Sequence, residues 1–332
     1  MTSRQHPLGT GFTAASTATD VLAGLDLTGR QIIVTAGHVG LGLETTRALS
    51  RAGASVLVGA RSPGRAAAAV ADLPGVEVYP LDLLDPRSVD AFAEAYLDTG
   101  RPLHTLVNNA GIMGGPLVRD GRGYEAQFAT NHLGHFQLTT GLLPALRAAA
   151  GARVVEVSSW GHHISDIRWD DPHFETGAYD GMVAYGQSKT ANVLFAVELD
   201  RRFSADGIRG YALHPGGILG TNLAPSITHE QWRQMGLIDE HGNVVIDPDR
   251  DFKTPQQGAS TSVWAATSPL LDGVGGVFLQ NNDIAPLEDI DHPLSNTFGS
   301  EPLQTTVGVT RYAVDPESAQ RLWELSEKLS TG

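Results

Sequence analysis

Short, mostly apolar runs alternate with helical spacing from residue 31 to residue 279. The runs at 31–35 (QIIVT), 55–59 (SVLVG), 76–80, 105–108, 152–157, 208–213 and 276–279 are rich in β-branched residues, which predicts strands covered on both faces. Between them, apolar positions recur every three or four residues at 41–52, 63–73, 86–97, 123–149 and 181–203, which predicts helices. This alternation predicts an α/β fold, a single doubly wound parallel sheet with helices on both faces. No shift in composition interrupts 31–290, so that stretch is expected to form one catalytic domain. It would follow an N-terminal arm at 1–30, with a short helix near 17–23 capped by Ser16 or Thr17. Residues 221–254, of mixed polarity and acidic around 247–251, read as an inserted flap. Residues 291–332 read as a C-terminal extension ending in a helix capped near Asp315 and Pro316.

Composition narrows the function. The 332 residues include no cysteine, which removes disulfides, thiolate nucleophiles and Cys-ligated metals. Lys plus Arg number 23 and Asp plus Glu 37, so 23 − 37 gives −14. That balance argues against nucleic acid as a partner, since displacing counterions needs positive charge. The most apolar stretch, 142–157, is interrupted by Arg147, Arg153 and Glu156, and a membrane span needs about 20 apolar residues. The first 30 residues lack the apolar core of a secretory signal. The expectation is a cytoplasmic protein that does not engage a membrane.

The first strand runs straight into Thr35-Ala36-Gly37-His38-Val39-Gly40-Leu41-Gly42 and then a helix. A glycine-rich turn alone also suits a tight strand-to-helix connection with no ligand. At the first such junction of an alternating chain it points to a dinucleotide, whose pyrophosphate sits on the helix N-terminus. The second strand ends Gly59-Ala60-Arg61, with no Asp or Glu between Glu44 and Asp72 to take a ribose hydroxyl. A guanidinium there suits a 2′-phosphate, so NADP(H) is favoured and NAD(H) possible.

Tyr185-Gly186-Gln187-Ser188-Lys189 sets a phenol and an ammonium four residues apart on one helical face. The ammonium is expected to lower the tyrosine pKa and make Tyr185 a general acid or base. The strand at 152–157 leads into Ser158-Ser159 at the carboxyl edge of the sheet, where Ser159 can hydrogen-bond a substrate oxygen.

With the Gly-rich turn, Leu81-Asp82-Leu83, Asn108-Asn109-Ala110-Gly111, Asn131, Ser159, the Tyr185/Lys189 pair and Pro215-Gly216, the chain resembles the short-chain dehydrogenases/reductases. Residues 158–163, 185–194 and 214–217 look most like its retinol-dehydrogenase-like branch. The resemblance implies a Rossmann-type sheet and a catalytic set of Asn131, Ser159, Tyr185 and Lys189. Tyr185 would pass the proton, Lys189 would also hold the nicotinamide ribose, and Asn131 would hold a water in a relay with Lys189. It assigns cofactor contacts to Gly37, His38, Gly40, Leu41, Gly42, Arg61, Asp82, Leu83, Asn109, Ala110, Gly111, Tyr185, Lys189, Pro215, Gly216 and Ile218. Pairing into a homodimer or homotetramer would use the helices at 123–149 and 181–203. Two positions depart from the family pattern: Ala36 stands where the first glycine is usual, and 215–221 is one residue longer before its threonine.

Trp160, His162 and His163 follow Ser159, and Met113, Met182, Trp232 and Leu237 are further pocket candidates. Met113, Trp160, His162 and Trp232 are taken as the substrate wall, suiting a fairly large, apolar alcohol or carbonyl compound. No ligand spacing points to a metal. The expected activity is NADP(H)-dependent interconversion of a secondary alcohol and ketone, or of an aldehyde and primary alcohol, by an alcohol dehydrogenase or carbonyl reductase. Two rivals stay open. One is a non-catalytic NADP-sensing regulator, which would be marked by loss of the Tyr or Lys; both are present. The other is an epimerase or dehydratase that recycles its cofactor.

Overall fold

The computed structural model describes residues 4–219, 221, 223–224, 226–295 and 306–330. Parts of the expected arm (1–3), flap (222, 225) and C-terminal extension (296–305, 331–332), and Gly220 of the 215–221 motif, lie outside the described residues. One sheet organises the chain. Its strands are β1 (Gln31–Thr35), β2 (Ser55–Ala60), β3 (Val76–Pro80), β4 (Thr105–Asn108), β5 (Ala152–Val157), β6 (Ile208–His214), β7 (Val277–Gln280) and β8 (Asp283–Ile284). The spatial order is β3-β2-β1-β4-β5-β6-β7-β8, parallel throughout except that β8 returns antiparallel on β7. The sequence showed no trace of β8, because two residues after a tight turn carry no period to detect.

The helices are α1 (Ala18–Val21), α2 (Gly40–Arg51), α3 (Pro63–Ala69), α4 (Pro86–Leu97), α5 (Ala126–Phe128), α6 (Gly134–Gly141), α7 (Leu143–Ala148), α8 (Gly181–Phe203), α9 (His229–Gln234), α10 (Pro255–Gly258), α11 (Ser260–Thr267) and α12 (Pro316–Ser330). Alternate strand residues enter opposite cores. Ile32, Val34, Val155 and Val157 face α2 and α11, whereas Ile33, Leu106 and Val154 face α4, α6 and α8. This two-sided burial, worth about 1.5–3 kcal/mol for each fully buried Val, Leu or Ile, is why the strands read as apolar runs.

The helix expected over 123–149 is broken. A π-helical turn at Ala129–Leu133 links α5 to α6, and Leu142 separates α6 from α7. Such turns insert one residue and commonly mark functional sites; Asn131 stands in this one. Before β1, Thr17 caps α1 in a reciprocal arrangement with Asp20. The arm then ties to the sheet edge: the Gln5 side-chain amide donates to Phe278 O and Ala285 O, and Phe278 N donates to Gln5 Oε1.

At the other terminus the Asp315 side chain accepts from Ser318 N and starts α12, which lies on α8. Trp323 packs edge-on to Phe136 at 4.9 Å and lies 5.7 Å from the Phe195 ring, with the Arg202 guanidinium 4.6 Å over its own ring. The surface that the family resemblance assigns to pairing is thus covered, along Phe136, Phe195 and Phe203, by the chain's own last helix. No described helix is long and apolar enough to cross a membrane.

Candidate active site

The carboxyl ends of β1, β2, β4, β5 and β6 open on a cleft of about 920 Å3. It lies where strand order reverses between β1 and β4, the place open α/β sheets offer ligands. Of the residues expected to form the site, His38, Gly40, Leu41, Arg61, Asp82, Leu83, Asn109, Ala110, Gly111, Met113, Ser159, Trp160, Tyr185, Lys189, Pro215, Gly216, Ile218 and Trp232 line it. Gly37, Gly42, Asn131 and His162 stand behind that lining, each for a reason the packing shows.

Gly37 and Gly42 act through close approach. A Cβ on Gly37 would meet Thr46 Oγ1 at 2.6 Å and Val58 Cγ2 at 2.9 Å; one on Gly42 would meet Ala36 O at 2.4 Å and Asn109 Nδ2 at 2.6 Å. The turn takes two left-handed residues, Ala36 just before Gly37 at φ 52° and Gly40 at φ 54°. The departure at Ala36 is therefore a real strain, because a Cβ is disfavoured there. The turn delivers the N-terminus of α2 to the cleft, and Val39 offers its first N–H groups no side-chain cap. Arg61 and Arg65 stand beside His38. Burial, then the charges of Arg65 and Arg61, hold its imidazole pKa below the usual range, and His38 Nδ1 is buried without a partner.

Thr35 at the end of β1 ties the next loop. Its Oγ1 accepts from Asn109 N and Ala110 N, both at 2.9 Å, and meets His135 Nε2 at 3.0 Å. With both lone pairs used, the hydroxyl must donate to His135 Nε2. His135 Nδ1–H then donates to Asn131 O at 3.0 Å. This neutral imidazole agrees with a pKa pushed down to about 4, chiefly by burial.

Asn131 differs from the expectation of a water-holding group. Its Oδ1 accepts from Ile112 N, and its Nδ2 donates to Ile112 O and Ser188 Oγ. Its carbonyl already accepts from His135 and from Asn192 Nδ2 at 2.8 Å. The residue clamps the 109–113 wall of the cleft from behind.

Tyr185 and Lys189 project from α8 into the floor. The ring of Tyr185 packs so closely on Gly161 that a Cβ there would lie 2.8 Å from Cε1. Burial pushes the phenol up to about 12, with a hydrogen bond to the Ser159 side chain opposing it. Lys189 Nζ donates to Val157 O at 2.8 Å and lies 5.6 Å from the Tyr185 ring centre. In this arrangement the ammonium turns to the β5 carbonyl, and burial dominates the phenol. Burial also lowers Lys189 to about 8, against the field of Glu156.

His162 is a correction to the proposed substrate wall. It is fully buried, with Nδ1 2.7 Å from Ser159 O and its ring against Phe278. A short helical turn at Trp160–His163 rotates it inward while Trp160 faces the cleft. His163 also points away, with Nε2 2.5 Å from Glu288 Oε2. The far wall comes from the flap. Leu223 O accepts from Met113 N at 3.1 Å across the cleft, and Leu219, Leu223, Ala224, Trp232 and Leu237 join Met113 and Met182 in an apolar lining.

Three residues beneath this wall escaped the sequence reading. His214 Nε2 lies 3.2 Å from Asp251 Oδ2, Lys253 Nζ lies 2.8 Å from Asp251 Oδ1, and all three are buried. His214 Nδ1 accepts from Trp160 N. Gly217 N donates to Asp251 O, and Lys253 N to Gly217 O. The flap root is thereby bolted to the 214–217 turn. Glu156, in the middle of an apolar strand, also escaped; a lone acid in VVEV was the visible signal. Among the described residues no three His, Asp or Glu gather as a metal site.

The family model for short chain dehydrogenases matches residues 30–171. A Streptomyces lividans protein named "Probable oxidoreductase" is 46% identical over 93% of this chain and 100% of its own length. The short-chain dehydrogenase/reductase prx1 of Penicillium roqueforti is 34% identical over 95% of this chain and 90% of its own. A crystal structure of a Mycobacterium paratuberculosis protein superposes with a TM-score of 0.70 at 34% identity, covering 96% of this chain and 98% of that one. The chain belongs to the short-chain dehydrogenase/reductase family of oxidoreductases.

Proposed function

We propose that the protein is an NADP(H)-dependent carbonyl reductase or alcohol dehydrogenase acting on a fairly large, apolar ketone or aldehyde and the matching alcohol. The observation that carries this reading is the Tyr185 phenol on the cleft floor, in a lining it shares with Ser159 and buried under an apolar chamber. The residues present fit the dinucleotide. The uncapped first turn of α2 suits a pyrophosphate, and Arg61, Arg65 and the unpartnered His38 Nδ1 suit a 2′-phosphate. Asp82, Leu83 and the 109–111 backbone would border the adenine half, with Pro215, Gly216 and Ile218 beside the nicotinamide. When bound, NADPH supplies the hydride.

The chain's own part is protonic and positional. Ser159 orients the substrate oxygen, and Tyr185 donates its proton to that oxygen. A phenol held at about 12 stays protonated until the oxygen gains charge, which suits the reducing direction. The apolar lining excludes water from the reacting carbon.

The test is a panel of aldehydes and ketones followed at the NADPH absorbance, with NADH in parallel. Tyr185→Phe should lower kcat by about 10²–10⁴ with NADPH binding retained. Full turnover in that variant removes the reading. Net NADPH consumption separates it from a cofactor-recycling epimerase or dehydratase.

A further inference from the structure

Glu156 is a fully buried carboxyl group that the proposed chemistry leaves unused. It points from β5 toward α6 and α8, where an unpaired charge would cost several kcal/mol. Two amides meet it: Asn108 Nδ2 from β4 donates to Oε1 at 2.5 Å, and Asn192 Nδ2 from α8 donates to Oε2 at 3.1 Å. Asn108 Nδ2 also reaches Thr139 Oγ1 on α6. Asn192 lies one turn beyond Lys189 on α8, so Glu156 sits under the same face. Lys189 Nζ in turn donates to Val157 O, the residue next to Glu156. Asn192 Nδ2 shares its hydrogens between Glu156 and Asn131 O, and Asn131 holds Ile112 in the cleft wall.

We propose that Glu156 is a positioning residue of the reaction centre, whose carboxylate, held under α8 by Asn192 and next to the Val157 carbonyl that Lys189 binds, keeps Lys189 in its ammonium form. The inference rests on the reading of Lys189 as part of the Tyr185 site, where its ammonium steadies the phenolate left once Tyr185 has given up its proton. Lys189 is faced by Tyr185 from its own helix, by Glu156 from β5 and by His135 from α6. His135 is neutral through its two hydrogen bonds and adds no charge near neutrality. Burial raises Glu156 to about 8, against Asn108, Lys189 and Asn192, and lowers Lys189 to the same region. Burial pushes both groups toward their neutral forms, and the charge of each opposes that push on the other. Each ionisation supports the other.

Glu156→Gln copies the neutral acid and removes the later charge. The chain has three lysines, Lys189, Lys253 and Lys328, so ¹⁵N-lysine NMR of the ligand-free protein reads each ammonium directly. The Lys189 signal, assigned by its loss in Lys189→Arg, should titrate about one pH unit lower in E156Q than in the natural chain. In turnover, E156Q should match the natural chain within about twofold at pH 6 and lose kcat about one unit earlier on the alkaline limb, a tenfold deficit there. Glu156→Asp keeps the charge; it should leave the alkaline limb in place and lower kcat at every pH, and it serves should E156Q fold poorly. An unmoved Lys189 titration in E156Q, a deficit equal at all pH values, or an Asp variant that behaves as E156Q would overturn the proposal. Absence of any carbonyl turnover by the natural chain would remove the functional reading, while the NMR titration would still decide the role of Glu156.

Discussion

The two ends of the cleft are built by different rules. At the arginine end, the wall residues stand on strand tips or just beyond them: Thr35 at the end of β1, Arg61 after β2, Asn109 after β4. Each is placed by strands paired in register across the sheet, as Val34 is with Val58 and Val107. At the apolar end, the wall is the 215–254 segment, which has a small core of its own in Met235, Leu237 and Phe252. It reaches the sheet through the His214–Asp251–Lys253 cluster and the Gly217 backbone pairing. Burial pushes the Asp251 carboxyl up, but His214 and Lys253 outweigh it and hold it at about 2, so this bolt keeps its charge across the working range. The arginine end, proposed to hold the cofactor, is thus fixed by the sheet itself. The proposed substrate end is a module hung from it, whose lining beyond Ile218 stands apart from the turn proposed to flank the nicotinamide.

Three substitutions probe that division. Arg61→Asp should act on the cofactor end alone. It replaces a cation by an anion and should shift the NADPH-to-NADH ratio of kcat/KM about 100-fold toward NADH, with no change in which carbonyl compounds are accepted. An unaltered cofactor ratio would sink the assignment of the arginine end. Trp232→Ala should act on the flap end alone, raising KM for the bulkiest accepted substrate about tenfold and leaving NADPH affinity unchanged. If both constants move together, the ends are coupled and the modular picture fails. The smallest change is expected from Ala36→Gly, which relieves the left-handed residue in the Gly-rich turn. The gain is about 1 kcal/mol, or a melting temperature about 2 °C higher by calorimetry. A lower melting temperature would mean the turn carries no such strain.

The Gly-rich turn at the arginine end of the cleft was legible in the sequence because its determinants are largely local. A strand, a turn and a helix N-terminus follow one another within a dozen residues, although the glycines at 37 and 42 are crowded by Val58 on β2 and Asn109 just after β4 as well as by Thr46 and Ala36. The pair Tyr185 and Lys189 was legible for the same reason, since helical spacing fixes a shared face. Its electrostatics were not. Whether Lys189 reaches the phenol or the Val157 carbonyl depends on how α8 docks on β5, and the depth of burial that holds Tyr185 at about 12 is a property of the packed site. His162 was misread because one short helical turn after Ser159 decides which of two neighbouring side chains faces the cleft.

The alternation of apolar runs and helical stretches was enough to specify a doubly wound sheet, since strand pairing and two-sided burial follow from side-chain period alone. It could not place Asp251 and Lys253 beside His214, or Glu156 between Asn108 and Asn192. Those groups lie roughly 30 to 80 residues apart in the chain and meet through contacts that no local period encodes. A charged side chain looks the same in sequence whether it is solvated or sealed among amides in a core; folding distinguishes the two by removing water, and that exclusion gives Glu156 and Lys189 their altered proton affinities.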